Sequence, residues 1–119
     1  CCLGKLKNKI KLNYKKSICI VLCSKGYPDE YKKNIPILGL DTISLKQDEY
    51  VFHAGTKLEN NKILASGGRV LNFVSVSENF NNSREDIIKL IDKLNWKNGF
   101  FRKDIGYKVI DVWELLQGI

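Results

Sequence analysis

The sequence predicts an α+β fold: a mostly antiparallel sheet with helices packed on one face, in a single small domain. Three observations carry this. Residues 18–23 form an apolar run of the length of a buried strand. Two extended runs flank Glu59-Asn60-Asn61-Lys62, and a long alternating segment follows at 69–77. Ile87, Leu90, Ile91 and Leu94 fall at i, i+3, i+4 and i+7, one apolar helical stripe.

Residues 1–16 are basic and weakly periodic, and read as a tail left by a preceding element, with the domain proper at 17–119. Leu3, Leu6 and Ile10 recur at helical spacing, but Gly4 and Asn13 oppose a long helix. Residues 17–23 are the first strand, apolar on both faces and therefore expected inside the sheet. It ends at the Gly/Pro loop Ser24-Lys25-Gly26-Tyr27-Pro28. Residues 29–43 mix extended signals (Ile35, Ile37, Ile43) with turn signals (Gly39, Asp41). A second strand is expected over 49–57. The Asn-Asn turn follows, because Asn tolerates positive φ. Residues 63–66 return, Gly67-Gly68 interrupts, and 69–77 continues with Val70, Asn72, Val74 and Val76 on one face and Leu71, Phe73 and Ser75 on the other. Asn82 and Ser83 are expected to open the helix, Ser83 with Asp86 resembling a capping box. Residues 99–107 read as a loop with a short strand, and 109–116 as a terminal helix.

The 119 residues fit one domain, and the composition of 44% hydrophobic and 28% charged is that of a soluble globular protein. No apolar run approaches the ~20 residues of a membrane-spanning helix, and no signal-peptide pattern opens the chain, so neither membrane nor export is expected. The absence of Met, at position 1 as elsewhere, favours a piece of something longer. The net charge of +7 would suit nucleic acid or a polyphosphate, but the lysines are scattered and only Arg69, Arg84 and Arg102 are arginine. A basic nucleic-acid-binding domain and a purely structural domain are the alternative readings, and no nucleic-acid partner is favoured. Cys1 and Cys2 are adjacent, Cys19 and Cys23 share a strand face, and the single His lies far away. Buried free thiols, no metal site and a cytoplasmic setting are the expectations.

Four stretches join glycine to polar residues at strand ends: Lys25-Gly26-Tyr27-Pro28, Phe52-His53-Ala54-Gly55-Thr56, Ser66-Gly67-Gly68-Arg69-Val70 and Arg102-Lys103-Asp104-Ile105-Gly106. Glycine lets backbone N–H groups approach an anion, and Arg offers a planar fork to phosphate or carboxylate. Each has a plainer reading. Gly67-Gly68 also suits a bulge. Arg102 and Asp104 also suit a local ion pair. His53 has no partner at catalytic spacing, and Lys25 is one lysine among many. None is a phosphate loop or dinucleotide fingerprint.

Taken together and in order, the four stretches resemble the C-terminal domain of the phosphoribosylamine–glycine ligase family, also called glycinamide ribonucleotide synthetase. The resemblance covers nearly the whole chain, including the apolar strand before K-G-Y-P and Gly4-Lys5-Leu6 ahead of it. Asp29, Lys33-Asn34 and Ala65 depart from the family pattern. The resemblance implies an ATP-dependent ligase of purine synthesis, using ATP and magnesium in the complete enzyme, with no cofactor and no catalytic residue in this part. It implies as partners the N-terminal and ATP-grasp portions of the same enzyme. By motif position, Arg69 is the leading anion contact, supported by Gly67 and Gly68. His53 and Thr56 come next as polar wall residues, then Lys25, Arg102 and Asp104. A domain parted from its neighbours exposes apolar surface, through which a homodimer is expected.

Overall fold

The computed structural model describes residues 2–94 and 96–110. Seven strands and one main helix follow in order: β1 Lys16–Ser24, β2 Ile35–Pro36, β3 Glu49–His53, β4 Thr56–Glu59, β5 Lys62–Ala65, β6 Arg69–Ser77, α1 Phe80–Leu94 and β7 Gly99–Phe100. A 3-10 turn at Leu40–Thr42 lies between β2 and β3. Its entry, Gly39, has φ 85°, a left-handed conformation that glycine adopts without a side-chain clash. Residues 2–15 contain neither helix nor strand and are exposed throughout.

The strands form two antiparallel sheets, one ordered β3-β6-β1-β7 and one ordered β2-β5-β4. The expected single strand over 49–57 is therefore two. It breaks at Ala54-Gly55, so β3 pairs with β6 while β4 starts the second sheet. The β4–β5 turn is as expected: Asn60 and Asn61 sit at φ 51° and 59°, the positive pair a two-residue hairpin requires.

Pairing register sorts the larger sheet into two faces. Ile18, Ile20 and Leu22 of β1 stand opposite Ser75, Phe73 and Leu71 of β6, which stand opposite Glu49, Val51 and His53 of β3. This face carries the core and is covered by α1, whose Ile87, Leu90, Ile91 and Leu94 are all buried. The helical stripe thus buries where its spacing says. The opposite face presents Tyr50, Val74 and Cys19 in one row and Phe52, Asn72 and Val21 in the next. β1 lies inside the sheet, as its apolar content predicted, but its second face is open. Cys19 is exposed and Cys23 only half-buried, so the expected buried thiols are not found. Of the strand's outward residues Ser17 and Cys19 are exposed, while Val21 and Cys23 are half-buried beside Tyr27, Pro28 and Ile105.

Helix α1 begins before the expected Asn82-Ser83 start. Asn82 N–H donates to Asn79 Oδ1 at 2.8 Å, which makes Asn79 the capping residue. Ser83 is instead fully buried in the helix, sharing a 2.8 Å hydrogen bond with Ser77 Oγ. The expected helix over 109–116 lies mostly outside the described residues. Its described part, 109–110, is helical, in a helix that already starts at 107.

Candidate functional site

The glycine-containing stretches meet where the two sheets join. The hairpin β4–β5 bends away from the larger sheet at Gly55 on one arm and Gly67-Gly68 on the other, and the two arms cross closely. Gly55 O accepts from Ser66 N–H at 2.8 Å, Gly67 N–H at 3.0 Å and Ser66 Oγ at 3.2 Å. Gly55 N–H donates to Arg69 O at 2.8 Å, and Ala54 N–H to Val70 O at 3.0 Å. A Cβ on Gly55 would stand 2.7 Å from Gly67 Cα, closer than any side chain tolerates. The sequence left a bulge and a ligand's approach as alternatives at Gly67-Gly68. What approaches is protein: the Gly55 backbone on Gly67, and the Tyr27 ring on Gly68. The Gly67 N–H is engaged by Gly55 and is not free for an anion.

Ser24 ties the first loop to this crossing. Nearly fully buried, it donates from its N–H to Gly68 O at 2.7 Å and from Oγ to Gly67 O at 2.8 Å. Tyr27 N–H closes the turn onto Ser24 O at 3.0 Å. Tyr27 then occupies a central place. It lines a hollow of about 530 Å³ with Val21, Ala54, Gly55, Gly68, Arg69 and Asn72. It also lines an adjoining apolar groove of about 330 Å³ with Cys19, Pro28, Phe100 and Ile105 among others. Three of the four stretches reach the first hollow, and Arg102 with Ile105 of the fourth reach the groove beside it.

Arg69 stands at the mouth of this hollow. Register places it opposite Cys23, across a bulge after Leu22, on the open face. The side chain is exposed and, among the described residues, has no hydrogen-bond or ion-pair partner. Its charge is felt by Cys23, whose thiol is raised by burial and partly lowered again by the guanidinium. An unpaired guanidinium above glycine backbone is suited to a phosphate or carboxylate.

The other candidates are dispersed. His53 is exposed at the end of β3, in register with Leu71, so it belongs to the face opposite Arg69. Its Nδ1 shares a 2.9 Å hydrogen bond with Thr56 Oγ1, which ties the two across the Ala54-Gly55 turn. Lys25 lines a separate hollow of about 550 Å³ with Glu30, Tyr31, Lys32 and Trp96, and its N–H donates to Asn98 O at 2.8 Å. Among the described residues, the buried Trp96 Nε1–H has no hydrogen-bond partner. Arg102 and Asp104 form a two-point ion pair, 2.6 Å at its shorter contact, with both side chains exposed. The guanidinium holds the Asp104 carboxyl below its usual range, and Asp104 raises Arg102 in return.

Sequence reasoning missed two organising residues. Tyr27 carried only the signal of an aromatic beside a Gly/Pro turn. Arg84 of α1 donates from Nε to Ile105 O at 3.1 Å and from its terminal nitrogen to Lys103 O, clamping the Arg102–Gly106 stretch onto the helix. Only an isolated Arg on a helix face marked it.

Comparison with known proteins bears on this arrangement. The family described as phosphoribosylglycinamide synthetase, C domain, matches residues 17–108. Phosphoribosylamine–glycine ligase of Caldanaerobacter subterraneus subsp. tengcongensis is 41% identical over 103 residues, which cover 86% of this chain and 24% of that protein. The ligase of Agrobacterium fabrum is 44% identical over 94 residues, covering 79% and 22%. The crystal structure of the phosphoribosylamine–glycine ligase of Thermotoga maritima superposes with a TM-score of 0.62 at 28% identity, over 76% of this chain and 22% of that one. The chain thus spans about a quarter of the length of the curated relatives it matches. With its family profile, its relatives and its antiparallel fold all in agreement, this chain belongs to the phosphoribosylglycinamide synthetase C-domain family.

Proposed function

We propose that this chain acts as the C-terminal domain of a phosphoribosylamine–glycine ligase, which joins glycine to 5-phosphoribosylamine as ATP becomes ADP and phosphate in purine synthesis. In this reading it forms one wall of the substrate cleft and has no ligase activity alone. The observation that carries the reading is Arg69, without a side-chain partner among the described residues, lining the hollow that Tyr27, Ala54, Gly55 and Gly68 build. Such a group orients an anionic substrate, and positioning is a large part of what a ligase must supply.

The roles follow from the placement. Arg69 contacts the phosphate or carboxylate of a substrate. Gly67 and Gly68 act by permitting the close crossing beneath it, which fixes the start of β6 and so the Arg69 Cα. Thr56 and His53 border the same turn from its other side. Lys25, and Arg102 with Asp104, are not among this hollow's lining residues and serve a wider rim. ATP and magnesium fall to the remaining three quarters of the ligase. Among the described residues no group of three or more His, Cys, Asp or Glu side chains is placed to hold a metal ion. No helix among them is long and apolar enough to cross a membrane.

The test is Arg69→Ala in the complete ligase. Loss of a charge-assisted contact worth about 1.5–3 kcal/mol lowers kcat/KM roughly 10- to 150-fold. An unchanged kcat and KM removes Arg69 from the site.

A further inference from the structure

The larger sheet has one face covered by α1 and one face over which, among the described residues, no helix lies, with Cys19, Tyr50 and Phe52 exposed and Val21, Asn72 and Val74 half-buried. On this second face Tyr50 and Phe52 are stacked, ring centroids 6.0 Å apart, with 45% and 54% of their surface exposed. Beside them run Val74 and Cys19 in one row, Asn72 and Val21 in the next, and Arg69, Cys23 and Phe100 at the end of the sheet. The apolar groove under Tyr27, Pro28 and Ile105 continues this surface without a break, since Cys19 and Val21 belong to both. Exposed aromatic residues grouped in this way, rather than scattered singly, mark an interaction surface.

We infer that this second face, centred on Tyr50, Phe52, Val21 and Cys19, is the docking surface for the remaining polypeptide of the ligase, and this inference rests on the proposed function. The occupant follows from length. The relatives this chain matches are about four times longer, so most of the ligase lies outside these residues. The opposite sheet face is already filled by α1, and the small second sheet exposes Lys57, Leu58 and Glu59 with no comparable apolar continuity. The position of Arg69 adds direction. It lies on the same face, one row beyond Phe52 and Val21, so docking there would bring Arg69 to the margin of the interface. A substrate held between the two parts would then meet the guanidinium at the seam. The face also explains why β1 is apolar on both sides while α1 buries only one.

Cys19 reports on this face directly because its thiol is exposed at the centre of it. The experiment compares the rate of maleimide labelling of Cys19, resolved by mass spectrometry, in this chain alone and in the complete ligase. The expected result is rapid labelling in the isolated chain and at least about tenfold slower labelling in the complete enzyme, as for a thiol inside an interface core. Phe52→Glu in the complete ligase should restore rapid Cys19 labelling, whereas Leu58→Glu, on the second sheet, should not. Equal Cys19 rates in the chain and in a fully active ligase overturn the docking face and leave the proposed function standing. A Cys19 protected in the isolated chain by a dimer that Phe52→Glu dissolves, and still carried as that dimer in the complete enzyme, assigns the face to a second copy and also overturns it. Arg69→Ala tests the functional reading separately, since it reads turnover and not Cys19 access.

Discussion

At the residue scale, the glycines of this domain are explained by neighbours far along the chain. Gly55 meets Gly67 and Arg69 O, and Gly68 meets the Tyr27 ring. Gly55→Ala should therefore destabilise the domain by about 1–3 kcal/mol, as overpacking of a fixed backbone does, measured by urea unfolding. Gly4→Ala, with nothing near its Cα, relieves no contact and strains only its own φ of 66°, so it should cost less. Asp104 offers a pH test. Its carboxyl is held low chiefly by the hydrogen bond from Arg102. A depressed carboxylate contributes stability that is present above its unfolded value, about 3.9, and lost as pH falls through its folded value. The pair is exposed, so the consequence is local. NMR titration should find Asp104 ionised below the usual carboxylate range, and Arg102→Gln should return it towards that range.

At the scale of elements, caps and clamps decide where segments start and how loops are held. Asn79 accepts the Asn82 N–H and opens α1. Asn79→Ala should cost about 1 kcal/mol by thermal or chemical unfolding, whereas Asp86→Ala, the partner of the expected capping box, should cost less. The misplacement of this start has a local cause: Asn79, Asn81, Asn82 and Ser83 are all good caps, and spacing alone does not rank them. The capping residue is the one where the chain leaves β6, a fact of the strand–helix connection. Arg84 gives the second element-level prediction. Its two donations to Lys103 O and Ile105 O join α1 to the Arg102–Gly106 stretch. Arg84→Met keeps the aliphatic stem and removes the donors. It should accelerate amide exchange across 102–106 while leaving exchange in β1 and β6 unchanged.

At the scale of the whole molecule, stability rests on one core shared by β1, β3, β6 and α1. Phe73, fully buried at its centre, touches the face that α1 covers. Phe73→Ala should remove about 3–5 kcal/mol, a large share of the roughly 5–15 kcal/mol available to a small domain, and would show as a collapse of the melting transition. Against this stands the uncovered face, where Tyr50 and Phe52 can be replaced with little effect on unfolding because water already reaches them. The molecule thus separates residues that hold its fold from apolar residues that remain open to water, and they alternate along the same strands.

The sequence by itself determined what depends on local chemistry. The Asn60-Asn61 turn, the helical stripe of α1, the β6 alternation and the Arg102–Asp104 pair were all legible, because φ preference, periodicity and spacing act within a few residues. The four glycine stretches were legible as special, and their order was enough to suggest the family. What the tertiary structure alone decided is what those stretches touch. A strand drawn over 49–57 becomes two because Gly55 crosses Gly67, a contact between separate segments of the chain that the linear pattern does not encode. Cys19 is exposed because, among the described residues, only one face of β1 receives a helix, and an apolar residue looks the same in sequence whether it is covered or not. Arg69 is set beside Cys23 by the β1–β6 register and its bulge, without a side-chain partner among the described residues, and His53 is turned to the opposite face by the register of β3 and β6; both are settled by long-range pairing.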